Sequence, residues 1–166
     1  IGIIKAKEQG IMNSKAKVDF IVDLHKKNSQ RLGFIPKSRV EQYVNDNQVF
    51  IAKEGGLESG FCIVGNGNNT NLKIYQHCIQ EDLRRLNLGK KLFNDVEFIA
   101  RNKGYETISL RCRANLEANK FWKALDFINY GFENKITQRT KKGIYKWIYK
   151  IKNPKQFSLF EVKYGS

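Results

Sequence analysis

One stretch constrains the fold of this chain more than any other. From Leu88 to Lys103, the residues Leu88, Leu92, Phe93, Val96, Ile99 and Ala100 recur on a single stripe at helical spacing, and Gly104 follows as a stop signal. β-rich runs stand on both sides of it. Leu72 to Ile79 precedes it, and Thr107 to Cys112 follows, with Ile108, Leu110 and Cys112 on one face. Strand, amphipathic helix and strand in succession need a sheet with a helix laid against it.

The rest of the chain extends that pattern. Val18 to Asn28 reads as a helix with Phe20, Ile21 and Leu24 on one face. Ser38-Arg39-Val40-Glu41 has the form of a capping box, after which Val40, Tyr43 and Val44 recur at helical spacing. Gln48 to Lys53 and Gly60 to Gly65 are two short strands around Glu54-Gly55-Gly56, a hairpin signal. Gly65-Asn66-Gly67-Asn68-Asn69 is a turn-rich loop. Asn115 is expected to cap a further helix, whose Ala118, Phe121, Trp122 and Leu125 fall on one face. Two strands, about Phe127 to Lys135 and Ile144 to Ile151, complete the sheet around the basic turn Arg139-Thr140-Lys141-Lys142-Gly143. The element order is that of a mixed α/β or α+β fold, with no repeat or linker to divide two domains.

The 166 residues suit a single domain with its own core, about residues 18–151, followed by an unassigned tail from Lys152. No apolar run approaches the ~20 residues of a membrane-spanning helix, and Ile1 to Lys5 is too short for a signal peptide. Met12 is the only methionine, so residues 1–11 read as a leader or as a chain that has lost its initiator. Cys62, Cys78 and Cys112 are odd in number, widely spaced and apolar in context, which predicts three reduced, buried thiols in a cytoplasmic protein. Neither a zinc site nor a disulfide framework is expected from them. The unusual bulk property is charge: 30 Lys plus Arg against 16 Asp plus Glu, formally +14. Such a field attracts phosphate-bearing partners, although a lysine-rich solvated surface gives the same count.

Chemistry concentrates where the third strand meets the central helix. Ile79-Gln80-Glu81-Asp82-Leu83-Arg84-Arg85-Leu86-Asn87-Leu88-Gly89-Lys90 is a strand end, a tight basic turn and a first helical turn. Free backbone N–H groups and the positive helix end converge there, which is an anion site. A pyrophosphate would be held by main chain, with Arg84, Arg85 and Lys90 adding charge-assisted contacts. Read alone, the same residues also fit a basic helix start with nothing bound.

This segment resembles the acetyl-CoA signature of the GNAT (Gcn5-related N-acetyltransferase) family, Arg/Gln-x-x-Gly-x-Gly/Ala, with Arg84 and Gly89 at its ends and Asn87 in place of the middle glycine. Asparagine is among the residues that best tolerate a positive φ. A second block resembles the family's later pattern Asn-x-x-Ala-x-x-Phe-Tyr-x-x-x-Gly-Phe. Asn115, Ala118, Phe121 and Phe127 match, while Trp122 stands for the tyrosine and Asp126 for the glycine. Core packing accounts equally for Phe121 and Trp122. The resemblance covers roughly residues 18–151.

It implies a mixed, mostly antiparallel sheet flanked by helices, in which the family's fourth and fifth strands splay around the coenzyme's pantetheine arm. The fourth strand corresponds to Leu72–Ile79 here. Acetyl-CoA is then the co-substrate. Backbone groups of His77, Cys78 and Ile79 would hold the arm, residues Arg84 to Lys90, including Leu86 and Leu88, the pyrophosphate, and Asn115 and Trp122 the neighbourhood of the thioester. Family members often use a strand glutamate and the tyrosine of the second block in catalysis. Here Lys73, Arg111 and Trp122 stand near those positions. Lys73, Tyr75 and His77 alternate onto one strand face, which offers His77 or Tyr75 for proton transfer.

The expected activity is acetyl transfer from acetyl-CoA to an amine acceptor. The basic residues Lys135, Arg139, Lys141, Lys142, Lys146 and Lys150 near the last strands favour an acidic or nucleic-acid partner mildly, since no RNA-binding motif is present. The alternatives are a GNAT-like binding module without turnover and a nucleic-acid-binding protein unrelated to the coenzyme.

Overall fold

The computed structural model describes residues 12–134 and 143–152. Two helices come first, α1 (Ser14–Lys27) and α2 (Lys37–Asn45). Three strands follow: β1 (Val49–Glu54), β2 (Leu57–Asn66) and β3 (Asn71–Ile79). A 3-10 turn at Glu81–Leu83 leads into α3 (Leu88–Asn102). β4 (Thr107–Arg113), the short α4 (Ala118–Ala124), β5 (Ile128–Glu133) and β6 (Ile144–Lys150) complete the order. The expected mixed α/β fold is the one observed, with element ends shifted by a few residues.

The strands form one six-stranded sheet in the order β1-β2-β3-β4-β6-β5. Every neighbouring pair is antiparallel except β3 and β4, which α3 connects and which therefore run parallel. Gly55 and Gly56 close the β1–β2 hairpin with φ of 58° and 80°, the two left-handed residues that a two-residue hairpin turn requires. On one sheet face, Leu88, Leu92, Phe93, Val96 and Ala100 of α3 pack with Trp122, Phe127, Trp147 and Tyr149. On the other face, Val18, Ile21 and Leu24 of α1 and Val40 and Val44 of α2 cover Phe61, Ile63 and Cys78. All three cysteines are buried free thiols. No helix of the described residues is long and apolar enough to cross a membrane.

Several local expectations need correction. Ser38 does not cap α2: Pro36 occupies the cap position, Ser38 lies inside the helix, and no side chain closes the end. A proline ahead of the helix already sets its entry, so the serine is not needed there. Asn115 does not cap α4, because the chain first makes a turn after β4 and Glu117 becomes the cap residue. Ile99 and Ala118 are exposed rather than part of the buried stripes. The basic turn Arg139 to Lys142, Lys135, the leader 1–11 and the tail beyond Lys152 lie outside the described residues.

Candidate functional site

β3 and β4 part company halfway along. Their parallel pairing runs from Asn71 opposite Thr107 to Ile74 opposite Leu110 and then ends. Beyond that point β3 stays bonded to β2 as far as Ile79 opposite Gly60, and β4 to β6 as far as Arg113 opposite Ile144. A wedge therefore opens between residues 75–79 and 111–113, and the facing backbone groups of His77, Cys78 and Ile79 are left without a strand partner on that side. A linear amide-bearing ligand could add to such an edge through main-chain hydrogen bonds.

The opening is set up by a bulge. Ile63 faces Gln76 but Val64 faces Ile74, so Tyr75 is an extra residue and the alternation of β3 flips across it. Lys73, Tyr75 and His77 consequently do not share a face. Tyr75 turns toward α2, with its ring 5.7 Å from that of Tyr43 and seated over Gly65, where any side chain would collide with it. His77 turns toward α3 and α4, its ring 5.3 Å from Phe121 and 5.2 Å from Trp122. A period-two reading cannot anticipate a bulge, which inserts one residue without changing composition.

At the wide end of the wedge stands the start of α3. Asn87 precedes it in the left-handed conformation, φ 59° and ψ 15°, and provides no side-chain cap. Lys91 N–H is the first of the helix to reach a carbonyl, that of Asn87 at 3.0 Å, so the amides of Leu88, Gly89 and Lys90 point outward unsatisfied by the helix. Arg85, Leu86, Asn87 and Lys90 are exposed around them, while Leu88 is buried. This arrangement suits a phosphorylated ligand: oriented N–H donors, the positive end of a helix dipole and flexible cations in one place.

Gly89 has a packing role beside the one its place in the motif suggests. A Cβ there would stand 3.2 Å from the Phe121 ring and 3.3 Å from His77, pointing inward. The glycine lets α3 settle on β3 and α4. The carbonyl of Gly89 accepts a hydrogen bond from His77 Nε2 at 3.1 Å. Burial lowers the pKa of His77 from its usual 6.5 to about 4, despite the opposing hydrogen bonds to the Gly89 carbonyl and to its own backbone. The ring is therefore neutral near pH 7, with the proton on Nε2.

Arg84 also turns inward. Its Nε donates to the Ile79 carbonyl at 3.0 Å and its Nη2 to Asn28 Oδ1, at the end of α1. Asn28 in turn donates from Nδ2 to the Leu24 carbonyl at 2.9 Å. Arg84 thereby ties the phosphate-loop turn to the helix layer on the opposite sheet face. Burial raises the neighbouring Cys78 thiol to about 11, against the pull of Arg84 and Arg31.

Trp122 is buried in an aromatic cluster with His77, Phe93, Phe121 and Phe127, and Phe121 is the more exposed of the α4 pair. Asn115 is exposed in the turn after β4. The asparagine that organises this region is Asn119: it donates to the carbonyls of Arg113 and Leu116 and accepts from Trp147 Nε1 at 2.9 Å. Sequence reasoning missed it, together with Gln76 and His25. Both of these donate to the Gly33 carbonyl, at 2.7 and 2.8 Å, Gln76 fastening the α1–α2 loop to β3 and His25 fastening it to α1. Polar residues at buried positions were the available signal.

A family model described as an acetyltransferase (GNAT) domain matches residues 12–151. No curated protein matches the chain. Among solved structures, Ard1 from Thermoplasma volcanium superposes with a TM-score of 0.74 at 14% identity, covering 84% of this chain and 94% of that one. An N-acetyltransferase from Staphylococcus aureus gives 0.72 at 14% identity, with 85% and 96% covered. The yncA structure from Salmonella typhimurium, which holds its cofactor acetyl-CoA, gives 0.71 at 11% identity, with 84% and 91% covered. At such identities the likeness is one of fold, but the family model spans most of the chain, splayed strands and uncapped helix included, and the chain belongs to the GNAT acetyltransferase family.

Proposed function

We propose that the protein transfers an acetyl group from acetyl-CoA to an amine acceptor. The observation that carries this reading is the conjunction of the β3–β4 wedge with the uncapped, basic start of α3 at its open end. The coenzyme's pyrophosphate would lie over the amides of Leu88 to Lys90, with Arg85 and Lys90 alongside. Its pantetheine arm would run against the backbone of His77 to Ile79. Asn115, exposed in the turn after β4, would contact the arm near the thioester, and the buried Trp122 would contribute through shape.

In the reaction, the lone pair of a neutral amine forms a bond to the thioester carbon. The oxygen takes up negative charge, the carbon–sulfur bond breaks, and the thiolate accepts a proton as the amine loses one. A free β3 amide in the wedge can stabilise the oxyanion. Of the two groups expected to move the proton, Tyr75 has its backbone at the vertex of the wedge and its ring over Gly65 on the face away from α3, from which an acceptor would approach. We assign it that role. His77, neutral and committed to Gly89, is a positioning residue for α3.

The test is calorimetric titration with acetyl-CoA, followed by release of free CoA in the presence of pooled small amines, peptides and nucleic acids. Binding together with acceptor-dependent release is the expected result. Binding without release for any acceptor would favour a coenzyme-binding module without turnover.

A further inference from the structure

The acceptor side of the wedge carries arginines from three separate elements. Arg84, from the turn before α3, reaches Asn28, and Arg113, from the end of β4, donates through Nη2 to the Gln30 carbonyl. Asn28 and Gln30 are two residues apart on the α1–α2 loop, within about 7 Å along the chain. Arg31 follows directly and is exposed, close enough to Cys78 to act on that thiol together with Arg84. Arg84 and Arg113 thus both reach one short loop segment beside the open ends of β3 and β4, and Arg31 is the next residue of that loop.

Arg31 and Arg84 form no ion pair among the described residues. Glu81 and Asp82, the carboxylates nearest to Arg84 in sequence, are exposed in the 3-10 turn. Setting Arg31 and Arg84 around one thiol without a counter-ion among the described residues is unfavourable unless a ligand supplies one. The cations further along the sheet differ. Arg111 and Lys146 both pair with Glu133, so that face is partly neutralised. A polyanion laid along β4 and β6 would meet this carboxylate, whereas a compact anion at the loop would not.

Resting on the acetyl-transfer reading above, we propose that the amine acceptor carries a carboxylate close to its reacting nitrogen, held by Arg31, Arg84 and Arg113. Arginine's planar fork matches a carboxylate in two-point contact, and Arg84 keeps donors beyond the two used on Ile79 and Asn28. The loop fixing these groups is itself fastened to β3 through Gln76 and Gly33, so the collar is preorganised. Such an acceptor is either a free amino acid or the acidic first residue of a peptide.

Calorimetry on the protein, with and without CoA, tests this independently of turnover. The probes are glycine against glycinamide, and C-amidated aspartyl-alanine against C-amidated asparaginyl-alanine. In at least one pair the carboxylate form should bind at least tenfold more tightly, and the responding pair identifies the source. Arg31→Gln, whose side chain makes no hydrogen bond to the rest of the described protein, should shrink that preference to within about twofold while acetyl-CoA affinity stays unchanged. Arg113→Gln should act in the same direction. Equal binding within both pairs, or a preference that survives both substitutions, overturns the proposal. So does an RNA or DNA oligonucleotide that outcompetes every carboxylate probe through Arg31. Failure to bind acetyl-CoA would instead overturn the acetyl-transfer reading, while the probe titrations without CoA still decide the collar.

Discussion

His77 donates its Nε2–H to the carbonyl of Gly89 across 3.1 Å, joining the free end of β3 to the first turn of α3. One hydrogen bond thus connects the two walls of the site assigned to the coenzyme.

Burial of the same ring makes the protein sensitive to acid, although the bond to Gly89 opposes the effect. The folded-state pKa of His77 is lowered to about 4, so the unfolded chain takes up a proton near pH 6.5 that the folded chain refuses. Stability is fully present above pH 6.5 and declines as pH falls toward 4. The full shift corresponds to about 3 kcal/mol, an upper bound. Urea midpoints measured from pH 7.5 to 4 should fall over that window. His77→Gln, which can still donate to Gly89, should flatten this segment of the curve. An equal slope in the variant would remove His77 as its cause.

Asn87 occupies a left-handed position where the family pattern has glycine. An L residue is strained there, asparagine less than most, so Asn87→Gly should relieve up to about 1 kcal/mol. It should also tighten acetyl-CoA binding, because backbone and phosphate can approach more closely. Thermal midpoints and calorimetry would check the two effects separately. Weaker binding would mean that the asparagine side chain touches the coenzyme.

Much of this fold could be read from the sequence, and the reasons for success and failure are physical. The α3 stripe, the Gly55-Gly56 hairpin and the βα junction at Asn87 are local signals, and each element formed within a few residues of its expected place. The positive φ at Asn87 was suggested by the glycine of the family pattern that it replaces, a conformation asparagine tolerates. The face of His77 could not be read in this way, because the Tyr75 bulge depends on pairing with Ile63 and Val64 of β2, away in sequence and across the hairpin. Arg84 was expected to point at phosphate, and its inward turn depends on Asn28, a contact between residues far apart in the chain. Phe121 and Trp122 sit next to each other on α4, and only the packing of Phe93 and Phe127 decides which is buried.

Gly89 tests the difference between motif and packing. Its Cβ direction meets Phe121 at 3.2 Å and His77 at 3.3 Å, so Gly89→Ala should cost about 1–3 kcal/mol through overpacking. Phe121→Leu would remove ring atoms from that contact. The double variant should then lose less than the sum of the two single changes. Strict additivity in denaturant unfolding would show that the methyl group finds room elsewhere.

The link from Arg84 to Asn28 gives the last prediction. It crosses from the phosphate-loop turn to the end of α1 and is the sole described hydrogen bond between them. A hydrogen bond to a charged donor contributes about 1.5–3 kcal/mol, and neighbours that share one couple by about 0.5–3 kcal/mol. Arg84→Gln and Asn28→Ala should each destabilise the protein, and the double variant should fall short of their sum. Arg84→Gln also frees the Ile79 carbonyl at the tip of β3, so it should weaken acetyl-CoA binding even though the side chain faces inward. Asn28→Ala provides the control. It removes only the α1 end of the link, so any loss of coenzyme affinity in that variant would mean that the helix layer beyond the sheet helps to position the phosphate loop. Unchanged affinity in both variants would confine Arg84 to holding the fold together.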